Sequence, residues 1–286
     1  MKERLKGVYR MKFSKMHGLG NDFIVLEGEK LAEAALPELA KRLCDRHTGI
    51  GADGVLLLLP SEKADLRMRI LNCDGSEAEM CGNGIRCFAR YAYEQGRIAK
   101  TEFTVETLAG IIRPRLTVQA GKVAAITIDM GRPLWKRSEI PMLGAEGEVI
   151  GEEIALGDQR YAVTSLVVGV PHTIVFTEDV KTAPVLTVGP QLEKHPVFPK
   201  GTNINFVEVK NRREIYVRTW ERGAGATLAC GTGCCASVAA SWRNGHTERA
   251  VTVHLALGNL EIVYHEDGKL YMTGPAEYAF AGDFTE

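Results

Sequence analysis

The pattern of hydrophobic positions predicts two groups of β-strands. In the first group, residues 23–26 and 55–59 are continuous apolar runs of strand length, and residues 67–72 alternate between apolar and polar side chains. Alternation of the same kind returns over residues 161–168 and 214–220. Further strands are expected at residues 11–16, 102–118, 122–130, 174–176, 202–209, 251–257 and 260–264.

Each group of strands surrounds one stretch with helical periodicity. This stretch covers residues 85–93 in the first group and residues 234–242 in the second. A further helix is expected over residues 31–44, where apolar positions recur at helical spacing. We therefore predict a mixed α/β fold of two halves, each made of several strands around one central helix.

The length of 286 residues is compatible with two domains of about 140 residues each or with one large domain. The doubled pattern favours two. We assign the first half to residues 1–129 and the second to residues 130–274, and we expect about residues 275–286 to return to the first half. Residues 1–10, which precede a second methionine, Met11, are interpreted as an extension outside the fold without a targeting pattern.

The composition limits the function classes. Hydrophobic residues make up 45% of the chain and charged residues 25%, which is typical of a globular protein with enough apolar material for a core. The formal net charge of −1 gives no general attraction to nucleic acid or to an anionic membrane. The apolar run at residues 55–59 is far shorter than the roughly 20 residues of a membrane span. We therefore predict a cytoplasmic protein that acts on a small-molecule substrate, with no nucleic acid and no membrane as partner.

The seven cysteines are an odd number spread along the chain, unlike a secreted disulfide framework, so reduced thiols are expected. They also lack the paired spacing of a zinc site, so no metal is expected. Two of them, Cys81 and Cys230, each open the phrase Cys-Gly-Xaa-Gly directly before a predicted helix. The others are interpreted as small buried residues, namely Cys44, Cys73, Cys87, Cys234 and Cys235.

Cys81 and Cys230 are expected at helix N-termini. Unpaired backbone N–H groups and the positive end of the helix dipole favour a thiolate over a thiol there, and the same groups can bind a carboxylate. Two such thiols facing one substrate carbon would form an acid–base pair, in which one removes a proton and the other delivers a proton to the opposite face. This is the chemistry of stereoinversion.

Two segments imitate a dinucleotide-binding motif, but neither predicts such a site. Residues 49–54 follow a predicted helix and precede a strand, which is the reverse of the required order. Residues 231–236 have the right order, but the connecting segment 221–229 is too long for the tight turn that the motif requires. The helix end that remains can bind an anion, which need not be a phosphate.

Eight segments together carry a resemblance to a known family: residues 13–22, 49–53, 72–76, 81–91, 171–172, 220–225, 229–233 and 271–274. They are similar to the diaminopimelate epimerases, which interconvert L,L- and meso-2,6-diaminopimelate on the route to lysine and the bacterial cell wall. The resemblance implies two pseudo-symmetric halves, each a β-barrel-like mixed sheet on a central helix, with the active site in the cleft between them. It also implies catalysis without pyridoxal phosphate, metal or other cofactor, and a homodimer.

The resemblance implies a role for both helix starts. Cys81 and Cys230 match the two catalytic cysteines of the family. Negative charge that spreads into the substrate carboxylate when the α-proton leaves would be bound by backbone N–H groups at the same two places. These N–H groups belong to Gly82, Asn83, Gly231 and Thr232.

Other matches concern substrate recognition. Glu221 matches the acidic residue that holds the reacting ammonium group, and His172 matches a histidine near the thiols, for which an orienting or core role and a direct role in thiol protonation are both open. The family residues that bind the distal end of the substrate are matched by Arg222, Asn72 and Asn203. Another amide of the pocket is matched by Asn21. A guanidinium suits a carboxylate because two of its N–H groups can bind the two oxygens together.

Two positions depart from the family pattern. Val170 stands where Asn is usual in a Gly-Asn-Pro-His run, and Gly54 stands where some members carry glutamine. One alternative is therefore a racemase of another amino acid on the same fold, although the distal matches favour a substrate with two amino-acid ends. A second alternative is a thiol redox or metal-binding protein, but neither Cys81 nor Cys230 lies in a Cys-Xaa-Xaa-Cys motif.

Overall fold

The computed structural model describes residues 10–29 and 31–285. It contains two compact units. The first comprises the described residues up to Val123 together with those from Ala276 onward, and the second comprises Ala124–Pro275. The extension predicted over residues 1–10 lies, apart from the backbone of Arg10, outside the described residues.

The elements of the chain up to the boundary are β1 (Arg10–Gly18), β2 (Asn21–Glu27), α1 (Leu36–Cys44), β3 (Gly54–Leu59), β4 (Leu66–Asn72), β5 (Glu77–Ala78), α2 (Gly82–Glu94), β6 (Val105–Thr107), β7 (Gly110–Ile112), β8 (Arg115–Gln119) and β9 (Lys122–Asp129). Those that follow are β10 (Val149–Leu156), β11 (Gln159–Val168), β12 (Val170–Phe176), α3 (Gly189–Glu193), β13 (Asn203–Asn211), β14 (Glu214–Glu221), β15 (Gly225–Thr227), α4 (Gly231–Arg243), β16 (Ala250–Leu255), β17 (Gly258–Tyr264), β18 (Leu270–Gly274) and β19 (Glu277–Thr285). The boundary between the units falls inside β9, a few residues before the position predicted from the sequence.

The strands form two open mixed sheets. The first has the order β19-β1-β2-β3-β4-β6-β7, with β5 also paired to β4. The second has the order β10-β11-β12-β13-β14-β16-β17-β18-β9-β8, with β15 also paired to β14. The predicted mixed α/β class with two sheet-rich halves is confirmed. Neither sheet closes into a barrel within the part of the chain that the structure describes.

The two sheets share one pairing pattern. From β1 to β7 the pairs are antiparallel, parallel, antiparallel, parallel and antiparallel. The same sequence of pairs runs from β11 to β17. A short helix lies between the first two parallel strands of each series, and a 13-residue helix, α2 or α4, precedes the last pair of strands. The fold therefore contains an internal repeat.

The strand register is the same in the two sheets near the starts of α2 and α4. Phe23 pairs with Gly54 as the first parallel pair of β2 and β3, and His172 pairs with Asn203 as the first parallel pair of β12 and β13. A spacing of 149 residues relates these pairs, and the same spacing separates Cys81 from Cys230. It gives further equivalent positions, which are Asn21 and Val170, Leu56 and Asn205, Ile70 and Thr219, and Asn72 and Glu221.

The two long helices are the cores of their units. In α2 and in α4, most residues are buried, which is expected for a helix surrounded by its own sheet. The inner residues of α4 are small, with Cys234, Cys235, Ala236, Val238 and Ala239 all inaccessible to solvent. Small side chains let the strands of the second unit approach α4 closely.

The predicted helix over residues 31–44 is shorter than expected. A 3₁₀ turn occupies Glu33–Ala35, and α1 begins only at Leu36, with Pro37 in its first turn. Proline is favoured at this place because its φ angle already suits the helix and its missing N–H would have no partner there. The helical pattern was correct for the apolar face but did not show where the α-helix starts.

The strand predicted over residues 102–118 is divided into β6, β7 and β8. Gly110, at a φ angle of +109°, begins β7 after a tight turn that a residue with a side chain would adopt only with strain. The strands β10, β18 and β19 were not predicted from the sequence. In β10, glycine and two consecutive glutamates obscure the alternation, and β19 is largely exposed, so its pattern carries little apolar signal.

Candidate active site

Cys81 is the N-terminal cap of α2. Its backbone is extended, with a φ angle of −140°, and its Sγ accepts a hydrogen bond from the backbone N–H of Gly84 at 3.4 Å. The thiol also lies 3.6 Å from Oδ1 of Asn21, which accepts a second hydrogen bond from Nδ2 of Asn83 at 3.1 Å. The sequence-predicted residues Cys81, Asn21 and Asn83 are thus brought together, and Gly82 is the first residue of the helix between them.

The orientation of the Asn21 amide is set by a charged group. Its Nδ2 donates to Oδ2 of Asp53 at 2.7 Å, and because an ionised carboxylate can only accept, the amide oxygen turns toward Cys81. Asp53 is held by Arg46, which also binds Asp22. Burial raises the pKa of Asp22, but hydrogen bonds from Arg46 and Lys15 outweigh it and hold that pKa well below its usual range. Asp22 therefore stays ionised, and the hydrogen bonds among Asp22, Asp53 and Arg46 keep the amide in place.

Asn72 lies at the end of β4 and is held in its own turn. Its Nδ2 donates to Oγ of Ser76 at 2.9 Å. The residue opposite Asn72 in the register is Gly54, one of the two departures from the family pattern. A Cβ atom added at Gly54 would lie 2.8 Å from the carbonyl oxygen of Leu71, so a glutamine at this place requires a shift of the backbone.

Cys230 is the N-terminal cap of α4 and is only 5% exposed. Its Sγ lies 3.5 Å from Oγ1 of Thr232, and a backbone hydrogen bond comes from Gly233. Burial raises the pKa of this thiol well above its ordinary value, and the negative charge of Glu221 raises it further. Cys230 is therefore a thiol at neutral pH in this structure.

A chain of buried polar groups lies in the sheet under α4. The hydroxyl of Thr219 donates to Oδ1 of Asn205 at 3.0 Å, and Nδ2 of Asn205 lies 3.2 Å from Nδ1 of His172. All three side chains are buried. Burial lowers the pKa of His172 to about 3, with the positive charge of Arg222 as a second cause. His172 is therefore neutral at physiological pH.

Asn203 and Arg222 meet in the turn that follows β14. Oδ1 of Asn203 accepts from the backbone N–H of Arg222 at 2.8 Å, and its Nδ2 donates to the carbonyl of Pro171 at 3.0 Å. The guanidinium of Arg222 donates to the carbonyl of Lys200 at 2.8 Å. Asn203 thus connects the strand that carries His172 with the turn that carries Glu221 and Arg222.

Three residues that support this cluster were missed by the sequence analysis. Glu193, which is 8% exposed, accepts from the indole N–H of Trp220 at 2.6 Å and from the backbone N–H of Gly223 at 3.3 Å, and so holds the turn after β14. Asn205 and Thr219 are the other two. The one available signal for Asn205 was an amide inside an otherwise apolar strand pattern, which is costly to bury without a partner.

Two further features concern metal binding and membrane crossing. Within the described residues, no three His, Cys, Asp or Glu side chains are grouped so that they could hold a metal ion. In the same part of the chain, none of the helices has both the length and the apolar character needed to cross a membrane. Next to the thiols lie the amide of Asn21 at Cys81 and the hydroxyl of Thr232 at Cys230, and the charge of Glu221 acts on Cys230.

Comparison with known proteins gives the family. A model of the diaminopimelate epimerase family matches residues 13–136 and 164–279. The chain is 54% identical over 278 residues to a protein named diaminopimelate epimerase from Heliobacterium modesticaldum, covering 96% of this chain and 99% of the relative. It is also 54% identical over 277 residues to the protein of the same name from Moorella thermoacetica, with coverage of 96% and 99%.

Solved structures with the same fold are more distant in sequence. A PhzF-family phenazine biosynthesis protein from Bacillus anthracis superposes with a TM-score of 0.71 at 16% identity and covers 97% of this chain and 99% of its own. A hydroxyproline epimerase from Agrobacterium vitis superposes with a TM-score of 0.68 at 18% identity, with coverage of 96% and 91%. These neighbours show the fold, while the family model and the close relatives show that the chain belongs to the diaminopimelate epimerase family.

Proposed function

We propose that this protein is a cofactor-independent isomerase that epimerises L,L-2,6-diaminopimelate to the meso form in the biosynthesis of lysine and cell-wall precursors. The observation that carries the proposal is the pair of cysteines at equivalent positions of an internal repeat, each the N-terminal cap of a buried helix. Membership of the family supplies the substrate, and the chemistry of a capping thiol supplies the mechanism.

In this mechanism the two thiols act from opposite faces of the α-carbon. One of Cys81 and Cys230, as a thiolate, removes the α-proton, and the other, as a thiol, delivers a proton to the opposite face. The charge that moves into the carboxylate is stabilised by N–H groups in the first turns of the two helices, aided by the positive ends of the helix dipoles. The residues concerned are Gly82, Asn83, Gly231 and Thr232.

The environment of Cys230 suggests how substrate binding activates it. The pKa of its thiol is raised by burial and by the charge of Glu221. When the substrate ammonium group binds Glu221, the positive charge offsets that repulsion and favours loss of the thiol proton. Activation then requires a substrate with an α-ammonium group, which protects the buried thiol from reacting in the empty enzyme.

Recognition of the distal amino-acid end is assigned to Arg222, Asn72, Asn203 and Asn21. In support, the Arg222 guanidinium donates one hydrogen bond to the carbonyl of Lys200. A guanidinium has five N–H donors, so others can bind a carboxylate. His172 is assigned an auxiliary role beside the thiols. The protein is proposed to act in the cytoplasm as a homodimer. In each chain, one thiol is contributed by the half formed by residues 1–129 with 275–286 and the other by the half formed by residues 130–274.

The alternative is a racemase of another amino acid on the same fold. The observation in its favour is Val170, which is 37% exposed at the start of β12, where the family usually has asparagine. An apolar side chain cannot replace the hydrogen bonds of an amide, so the substrate range could be altered there.

The deciding experiment incubates the purified enzyme separately with L,L- and meso-diaminopimelate, and with proline and 4-hydroxyproline, and resolves the products by chirality. We expect either diaminopimelate isomer to give the same equilibrium mixture, with much slower conversion of the cyclic amino acids. Faster racemisation of a cyclic amino acid would assign the protein to the alternative. Sedimentation velocity on the same sample tests the homodimer.

A further inference from the structure

The imidazole of His172 is fully buried, and its two nitrogens have different surroundings. Nδ1 lies 3.2 Å from Nδ2 of Asn205. Nε2 has no hydrogen-bond partner among the residues that the structure describes. A buried polar atom without a partner costs free energy, typically about 1–3 kcal/mol. His172 pairs in the sheet with Asn203 and is affected by the charge of Arg222, two residues assigned to substrate recognition, so its unpartnered nitrogen points to a group that arrives with the ligand.

The direction of the hydrogen bond at Nδ1 follows from the orientation of the Asn205 amide. Its Oδ1 accepts the hydroxyl hydrogen of Thr219 at 3.0 Å, so the opposite edge, which faces His172, is the NH₂ group. A second contact supports this orientation. Oδ1 lies against the first turn of α4, where a Cβ atom added at Gly233 would overlap it, and the positive end of the helix dipole favours an oxygen over an NH₂ group there.

An NH₂ group can only donate, so Nδ1 of His172 must accept. A neutral imidazole carries one ring proton, and that proton is therefore on Nε2. Burial, which lowers the pKa of His172 to about 3, excludes the doubly protonated ring at physiological pH. The positive charge of Arg222 also opposes protonation of the ring.

We infer that Thr219 and Asn205 are positioning residues that hold His172 as the neutral Nε2–H tautomer, so that its unpartnered N–H donates a hydrogen bond to a carboxylate of the bound substrate. The inference rests on the proposed function for the nature of that substrate. It also narrows the role of His172. Because Nε2 already carries the proton and Nδ1 is occupied by Asn205, the ring does not accept a proton from a thiol.

The tautomer is measured directly by nuclear magnetic resonance. The enzyme is labelled with ¹⁵N-histidine, and the signals of His172 among the seven histidines are assigned by their loss in His172→Gln. We expect one protonated nitrogen, Nε2, and one unprotonated, hydrogen-bonded nitrogen, Nδ1, at every pH between about 5 and 9. A proton on Nδ1, or a ring that titrates in this range, overturns the inference whatever the activity of the enzyme.

Variants at Thr219 test the positioning role. Thr219→Val keeps the shape of the side chain but removes the hydroxyl that fixes Asn205, so both amide orientations become available and the ring should show both tautomers. We expect the KM for L,L-diaminopimelate to rise in inverse proportion to the remaining Nε2–H population, by about two- to fivefold, with a smaller change in kcat. Thr219→Ser should restore the single tautomer and most of the affinity.

The matched control is Ile70→Val at the equivalent position of the first sheet, which removes one buried methylene without touching a polar group. It should leave the His172 signals and the KM unchanged. If Thr219→Val and Ile70→Val alter KM equally while the tautomer stays single, Thr219 is only a packing residue and the inference fails. If the wild-type enzyme shows the Nε2–H tautomer but does not turn over diaminopimelate, the proposed function fails and the tautomer assignment stands.

Discussion

The two helix starts occupy equivalent places in the repeat, yet the sheet beneath them differs in kind. Under α2, a Cβ atom added at Gly84 would meet Leu56 at 3.2 Å and Phe23 at 3.6 Å, so this helix start rests on apolar side chains. Under α4, a Cβ atom added at Gly233 would overlap the amide oxygen of Asn205. The apolar group of Phe23, Leu56 and Ile70 is replaced position by position by the polar group of His172, Asn205 and Thr219.

At the start of β2 and of the equivalent strand β12, the polar residue lies in the first unit and the apolar residue in the second. In the first unit, Asn21 begins β2 and places an amide oxygen beside Cys81. Its equivalent in the second unit is Val170, which has no polar atom to offer. The polar groups near the two thiols therefore differ in origin. At Cys81 the amide of Asn21 comes from a strand start, whereas at Cys230 the hydroxyl of Thr232 comes from the helix itself and the charge of Glu221 from the end of β14. The two units therefore share strand pairing and register but differ in the polar groups near their helix starts.

The largest expected effect tests whether the two thiols are equally necessary. Cys81→Ala and Cys230→Ala should each lower kcat by about 10²–10⁴-fold, because each removes a general acid or base. Cys235→Ala, at a fully buried position one turn further along α4, is the control and should retain most of the activity. If either capping variant keeps more than about a tenth of the activity, that cysteine is not part of the mechanism.

Isotope exchange sharpens the same comparison. If the thiols work from opposite faces, the first product formed from one isomer in heavy water carries deuterium at the inverted carbon, while the recovered substrate does not. Mass spectrometry of both pools at low conversion gives the answer. Equal early labelling of substrate and product would instead indicate one base that exchanges its proton with solvent.

Exchanging the sheet residues should separate effects on stability from effects on activity. Leu56→Asn buries an amide among apolar side chains and should lower the free energy of unfolding by about 3 kcal/mol, through lost packing and an unsatisfied polar group. Asn205→Leu leaves the hydroxyl of Thr219 and Nδ1 of His172 without partners, so it should also lower stability, by about 2 kcal/mol, and should impair activity more than Leu56→Asn does. Urea unfolding and steady-state kinetics on both variants measure this, and an equal loss of kcat/KM would mean that the polar group has no special role in activity.

The histidine should also give the second sheet a sensitivity to acid that Phe23, at the equivalent position of the first sheet, cannot supply. The pKa of His172 is about 3 in the folded protein and 6.5 as its ordinary value. The unfolded chain therefore binds a proton below about pH 6.5 that the folded protein does not, and this group lowers stability as the pH falls toward 3, by about 1.4 kcal/mol per pH unit. Unfolding between pH 7 and pH 5 should be less pH-dependent in His172→Phe than in wild type.

The smallest effect is expected at the strand start. Val170→Asn introduces the residue that the family resemblance leads us to expect here, and it matches Asn21 of the first unit. Because Asn72, Asn203, Arg222 and Glu221 are present in either case, we expect the KM for diaminopimelate to change by a few-fold and kcat by less. A large gain in turnover would mean that Val170 limits the present enzyme, and a gain restricted to another amino acid would support the alternative substrate.

The sequence was most informative where the determinants are local. A helical pattern directly after Cys-Gly-Xaa-Gly was sufficient to predict that Cys81 and Cys230 cap helices, since both the cap and the first turn lie within a few residues. The roles of Asn205 and Thr219 were not predictable, because alternation shows that a strand has two faces but not which helix each face contacts. Glu193 was equally hidden, as its partner Trp220 is 27 residues away along the chain.

The place of β19 has a consequence for the order in which the protein is made. This last strand pairs with β1 in the first unit, whereas the second unit is a single continuous stretch of chain. On the ribosome, the second unit can complete its sheet while the first sheet still lacks its edge strand β19, because domains fold as their segments emerge. Until residues 277–285 arrive, β1 presents unpaired backbone groups to the cell, so a stalled or truncated product would expose a surface prone to aggregation.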